Sequence, residues 1–130
     1  MSDATVLSRF LHYVSFDTQS ARESDSAPYT AKQLKLAEAL VTELKAMGIE
    51  NAHIGTGGIV YASIPATPGC ETAPAIGFIA HMDTSPDAPG ENVKPQIIHF
   101  TGTDVVLNKK EGLVFSTDQF PEIKKYASED

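Results

Sequence analysis

The chain has 130 residues, of which 42% are hydrophobic and 21% are charged. This length and composition are typical of one soluble globular domain and argue against an intrinsically disordered chain. Ten Lys and Arg residues against 17 Asp and Glu residues give a formal net charge of −7, which argues against nucleic-acid binding and against an anionic membrane surface as a partner, because both require clustered cations.

The sequence carries no targeting or membrane-spanning pattern. No run approaches the ~20 apolar residues of a transmembrane helix, and Met1–Phe16 lacks the apolar run of a signal peptide. The single cysteine, Cys70, cannot form an internal disulfide and has no C-x-x-C partner, so we interpret it as an incidental thiol suited to a reducing compartment. We therefore expect a cytoplasmic protein.

Two amphipathic helices are predicted in the first part of the chain. The first follows a cap at Ser2 or Asp3 and has one apolar face, made of Leu7, Phe10, Leu11 and Val14. The second starts at the cap Thr30, stops at Gly48 and carries a longer apolar stripe, made of Leu34, Ala37, Leu40, Val41, Leu44 and Met47. Both stripes are interpreted as core-packing faces.

Strands are predicted after the second helix. Ala75–Ala80 is a continuous apolar run of strand length, which is typical of a strand covered on both faces at the centre of an α/β sheet. Pro121 is well placed in the first turn of a final helix. Shorter strand candidates are Ala52–Ile54, Ile59–Ile64, Gln96–Phe100, Val105–Leu107 and Leu113–Phe115. The order of elements predicts an α/β fold rather than a helical bundle.

His81 and Asp83 form the candidate site, directly after the predicted buried strand. Sites in α/β sheets lie at the carboxyl ends of strands, and residues two apart in an extended chain point to the same side. A metal-binding histidine needs its other ring N–H held, and a carboxylate does this while raising the basicity of the ligating nitrogen. The alternative is that His81 is partly buried and bonded to Asp83 in a purely structural role.

Other catalytic and cofactor motifs are absent from the sequence. The glycines at 55, 57 and 58 do not complete the G-x-G-x-x-G of a dinucleotide site. The phosphate-binding G-x-x-x-x-G-K-[ST], the zinc helix H-E-x-x-H and the nucleophile elbow G-x-S-x-G do not occur. The H-x-D pair is therefore the one pattern with a chemical interpretation.

Longer stretches around this pair resemble the peptidase T family, tripeptide aminopeptidases of the dizinc exopeptidase superfamily. The most specific are FLHYVSFDTQS at Phe10–Ser20 and AIGFIAHMDTSPD at Ala75–Asp87. The likeness extends to the stretches at Gln33–Ile49, Gly57–Ala66 and Gly90–Ile97. It thus covers most of the chain in the family's order.

The resemblance implies a fold and a chemistry. It implies that residues 1–130 are the N-terminal portion of a zinc-exopeptidase catalytic domain, with a mixed, mostly parallel sheet and flanking helices. The family's metal-binding histidine corresponds to His81, and its catalytic aspartate corresponds to Asp83. Two zinc ions would activate water to release the N-terminal residue from tripeptide substrates.

The remaining zinc ligands, the general base and the lid or dimerisation domain of the family have no counterpart in this sequence. We therefore expect that this chain alone neither retains zinc tightly nor hydrolyses tripeptides, since a catalytic zinc needs about three protein ligands. We also expect self-association through an exposed sheet edge. The alternative function is a stand-alone, non-catalytic α/β binding or interaction module.

Overall fold

A computed structural model of the chain describes residues 5–127. They form two compact units, of which the first ends at Lys94 and the second begins at Pro95. Helices and strands both occur, so the predicted mixed α/β class is confirmed. No helix within residues 5–127 is long and apolar enough to cross a membrane.

The first unit contains two α-helices and one short β-hairpin. Helix α1 spans Val6–Tyr13 and helix α2 spans Gln33–Ala46. Strand β1, His53–Ile54, pairs in antiparallel fashion with strand β2, Val60–Tyr61. A 3₁₀ turn at Thr56–Gly58 joins the two strands.

The N-cap of helix α1 is Thr5, two or three residues later than the sequence predicts. The predicted caps Ser2 and Asp3 lie outside the described residues. Thr5 is the N-cap, and its hydroxyl oxygen accepts a hydrogen bond from the backbone N–H of Ser8 at 3.2 Å. This bond satisfies one of the N–H groups that have no partner within the helix.

Helix α2 ends as predicted but begins differently. Thr30 is not its cap, because the Thr30 hydroxyl donates to the backbone oxygen of Gln19 at 2.8 Å instead. At the other end Gly48 has a φ of +90°. The N–H of Gly48 donates to the oxygen of Lys45 at 2.9 Å, and the N–H of Ile49 donates to that of Leu44 at 3.0 Å. This pair of bonds is a Schellman motif.

The core of the described chain is small. Its buried apolar residues are Leu36, Ala37 and Ala52. The predicted stripe on α2 is therefore only partly right: Ala37 is buried, whereas Met47 is exposed and Leu36, which lies outside the stripe, is buried. A pattern of apolar spacing marks a helix face, but the elements packed around the helix decide how much of that face is covered.

The second unit is built on a separate hairpin. Strand β3, Val105–Asn108, pairs in antiparallel fashion with strand β4, Leu113–Phe115. A 3₁₀ helix follows at Pro121–Tyr126. These elements confirm the two predicted strands and the helix start at Pro121. Thr117, which is buried and follows β4, donates from its N–H and its hydroxyl to Asp104 at 2.8 and 3.0 Å. These two hydrogen bonds hold the pKa of the Asp104 carboxyl below its ordinary value.

The predicted central strand Ala75–Ala80 is wrong for this structure. The segment makes no strand pairing and is exposed along its length, with Phe78 95% exposed. Gln96–Phe100 forms no strand either. A strand is stable only when neighbouring backbone satisfies its N–H and C=O groups, and no strand among residues 5–127 pairs with either segment.

The predicted mixed, mostly parallel sheet is likewise not formed. The described part of the chain holds two separate two-stranded antiparallel sheets. Its one parallel pairing is an isolated bridge between Gln19 and Thr84. This bridge nevertheless matters, because it joins two loops next to the candidate site.

Candidate active site

His81 and Asp83 contact each other in the structure. The Nδ1 atom of His81 lies 3.2 Å from Oδ1 of Asp83. The His81 side chain is 84% exposed and that of Asp83 is 41% exposed. When Nδ1 carries the proton and donates it to the carboxylate, the lone pair of Nε2 faces outward and is free for an external partner. The imidazole is therefore exposed rather than buried, with its Nδ1 atom beside the Asp83 carboxylate.

Backbone hydrogen bonds fix the chain directly after Asp83. The N–H of Ser20 donates to the oxygen of Thr84 at 2.9 Å, and the N–H of Thr84 donates to the oxygen of Thr18 at 3.2 Å. These two bonds form the Gln19–Thr84 bridge. The segment 17–20, which is part of the stretch FDTQS at positions 16–20, is thereby bonded to Thr84, the residue that follows the candidate site.

An open cleft of about 900 Å³ lies beside the pair. Its walls come from both α-helices, from residues 57–60 and from residues 78–83, and they are mainly apolar. His81 and Asp83 both line it. A cleft of this size is within the range of small-molecule and peptide sites, which span roughly 300–1,000 Å³.

Three polar side chains on the helices, joined to one another by hydrogen bonds, are among those that line this cleft. The guanidinium Nε of Arg9 donates to Glu43 at 2.6 Å, and the Tyr13 hydroxyl donates to the other oxygen of the same carboxylate. Burial and the Glu43 carboxylate together raise the pKa of Tyr13 to about 12. The hydrogen bonds from Tyr13 and then from Arg9 lower the pKa of Glu43.

Sequence reasoning missed this Arg9–Tyr13–Glu43 cluster. Arg9 and Tyr13 are four residues apart and so share one face of α1. That spacing was available in the sequence, but the partner Glu43 lies on another helix, and its identity depends on how the two helices pack.

The residues present fit zinc only in part. His81 offers one imidazole whose Nδ1 atom contacts Asp83, and zinc-binding histidines commonly donate this second ring N–H to a carboxylate. Within residues 5–127 no three or more His, Cys, Asp and Glu side chains are gathered in a way that could hold a metal ion. His53 is engaged elsewhere, with its Nδ1 atom 2.8 Å from the backbone oxygen of Asn51.

Comparison with known proteins gives many relatives under one name. The chain is 49% identical over 124 residues to peptidase T of Halothermothrix orenii and 52% identical over 122 residues to peptidase T of Clostridium acetobutylicum. It is 48% identical over 126 residues to peptidase T of Parabacteroides distasonis. No family model matches the chain.

These alignments include nearly all of this chain but only part of each relative. They cover 93–97% of this chain but 30–31% of each relative, so the chain spans about 30% of the length of the curated relatives it matches. Identity near one half over an alignment of this length confirms the resemblance drawn from the stretches around Asp17 and His81. Along nearly its whole length, the chain is similar to peptidase T.

Proposed function

We propose that the complete protein to which this chain belongs is a zinc-dependent tripeptide aminopeptidase in which His81 binds zinc and Asp83 orients His81. The observation that supports this most is the hydrogen bond between the two side chains at 3.2 Å, with the imidazole exposed at the edge of the cleft. The name peptidase T, borne by relatives at 48–52% identity, supports a peptide substrate.

The chain's own residues account for part of the chemistry. When Nδ1 of His81 donates its hydrogen bond to Asp83, the Nε2 lone pair is left for a metal ion. The mainly apolar walls of the cleft lie beside the pair and offer a surface for the apolar parts of a substrate. Bound zinc would polarise the scissile carbonyl and lower the pKa of its water. The further ligands and the general base are proposed to lie outside this sequence.

We infer a cytoplasmic location for the protein. The support is its single cysteine, Cys70, which is exposed and carries a free thiol. Exposed free thiols persist in reducing compartments.

The test is an activity assay on the complete product of the gene that encodes this chain. We expect release of the N-terminal residue from a tripeptide with a free amino group, no reaction with the N-acetylated tripeptide, and loss of activity on chelation. Asp83→Asn should lower kcat/KM by about 10- to 100-fold, as removal of a residue that orients a metal ligand does.

His53→Ala is the matched control, because His53 is also an exposed histidine with its Nδ1 atom hydrogen-bonded. It should retain full activity. If Asp83→Asn is as active as the wild type, the proposed role of Asp83 is wrong. If the complete product has no peptidase activity, the non-catalytic binding module is the better description.

A further inference from the structure

The side chain of Gln19 holds the loop that follows the candidate site. Its amide nitrogen Nε2 donates to the backbone oxygen of Ala88 at 2.7 Å and to that of Pro86 at 3.3 Å. Pro86 lies 67 positions and Ala88 lies 69 positions after Gln19 in the sequence. A side-chain amide nitrogen has two protons, so the Gln19 side chain uses both of its donors on this one loop.

The orientation of that amide is itself fixed. Its oxygen Oε1 accepts from Nζ of Lys32 at 3.4 Å, and the same ammonium pairs with Asp17 at 2.8 Å. The hydrogen bond from Lys32 lowers the pKa of Asp17, and the backbone N–H of Gln19 adds to this effect. With its oxygen held by a cation, the amide can present only its nitrogen to the loop.

Close packing accompanies these hydrogen bonds. A Cβ atom built at Gly90 would lie 2.8 Å from Oδ1 of Asp17, 3.2 Å from Cβ of Gln19 and 3.2 Å from Oγ1 of Thr84. The loop backbone thus lies close against the side chains of Asp17, Gln19 and Thr84, and a side chain at position 90 would require the Asp17 carboxylate to move. The loop is therefore held at four positions. Backbone hydrogen bonds hold Thr84, the Gln19 amide holds Pro86 and Ala88, and close packing holds Gly90.

We propose that Gln19 is a positioning residue: by clamping the loop after Asp83, its amide fixes the Asp83 carboxylate against His81 and so selects the Nδ1–H tautomer of the imidazole. The chain leads from Asp83 directly into Thr84, so the loop's position sets where the carboxylate stands. This inference rests on the proposed function, in which that tautomer leaves Nε2 as the zinc-binding atom.

The test measures the tautomer of His81 in the complete gene product, stripped of metal by chelation, by long-range ¹H–¹⁵N NMR near pH 8.5, above the ordinary imidazole pKa. The wild type should be mainly Nδ1–H. Gln19→Glu keeps the shape of the side chain but removes both amide protons. Gln19→Met also removes both amide protons and adds no charge. Both should lower the ratio of Nδ1–H to Nε2–H about threefold, the effect expected from weakening one hydrogen bond.

Two matched controls separate the clamp from general effects. Asn51→Asp makes the same amide-to-carboxylate change in a side chain that bridges to Ser63 rather than to this loop. Arg22→Met removes the exposed ion pair between Arg22 and Asp87, and Asp87 is a residue of the loop that Gln19 holds. Neither should change the tautomer ratio.

Three results would overturn the proposal: Gln19 variants that keep the wild-type ratio, controls that shift it equally, or Gln19 variants that lose the amide signals of α2, which would make Gln19 a folding residue instead. Because the measurement needs neither zinc nor a peptide, its outcome is independent of the aminopeptidase assay. An inactive complete protein with the shifted tautomer would refute the proposed function and leave the positioning role standing.

Discussion

At the scale of single residues, the sequence revealed the pair His81–Asp83 but not its supports. A spacing of two predicts that the side chains can meet, and they do, at 3.2 Å. The sequence also does not show which residues Gln19 and Glu43 contact. Gln19 bonds to the loop after Asp83, and Glu43 bonds to Arg9 and Tyr13, and packing decides both sets of partners. Gln33 makes the same point: it lies outside the predicted stripe, yet it is buried, with its amide nitrogen unpartnered among residues 5–127.

The Tyr13–Glu43 hydrogen bond makes a residue-scale prediction about pH. The pKa of Glu43 is lowered in the folded chain, so its stabilising contribution is complete above its unfolded pKa and is lost as the pH falls through the folded value. Tyr13, with its pKa raised to about 12, stabilises the fold fully below its unfolded pKa near 10, and this is lost as the pH rises toward 12.

Tyr13→Phe should therefore lower the free energy of unfolding at pH 7 by about 1 kcal/mol and flatten its dependence on pH at both ends. Urea unfolding of both forms at pH 4, 7 and 11 measures this. Tyr29→Phe is the control, because Tyr29 is largely exposed. A variant whose pH dependence is the same as that of the wild type would show that the hydrogen bond does not act in solution.

At the scale of elements, several local signals gave correct predictions, although the cap at Thr30 did not, and the long-range prediction of a central strand was wrong. The stop of α2 at Gly48 and the hairpin strands β3 and β4 were predicted correctly, because each depends on neighbours in sequence. The strand Ala75–Ala80 was not, since a buried strand depends on partners on both sides. The sequence identifies this segment as apolar, but only the fold can tell what covers it.

The end of α2 carries the element-scale prediction. Gly48 adopts a φ of +90°, where a side chain is strained, although a Cβ there would meet nothing within 4 Å. Gly48→Ala should lower the free energy of unfolding by about 1 kcal/mol through backbone strain alone. Gly77→Ala, which also meets nothing within 4 Å and has no positive φ, should leave stability nearly unchanged. Equal effects in thermal unfolding would contradict this account of the helix stop.

At the scale of the whole molecule, the chain exposes an unusual amount of apolar side chain. Ile76, Phe78 and Ile79 are almost completely exposed in one apolar segment, which pairs with no strand among residues 5–127. Such segments associate with other chains, because pairing satisfies the backbone and covers the side chains. We propose that in the isolated 130-residue chain a second copy supplies this cover.

Sedimentation velocity tests the proposed self-association. The wild-type chain should show a sedimentation coefficient that rises with concentration, and Phe78→Lys should reduce this dependence strongly because a buried charge opposes pairing. Tyr61→Lys, also at an exposed aromatic position, is the control and should associate as the wild type does. A monomer at all concentrations would contradict the proposal.

The central claim is that His81 is a zinc ligand held by Asp83, and zinc content tests it most directly. We predict that the complete gene product, dialysed and analysed by plasma mass spectrometry, contains two zinc ions per chain and that His81→Ala loses at least one of them, while His53→Ala keeps both. A His81→Ala protein that is folded and still holds two zinc ions would contradict the account.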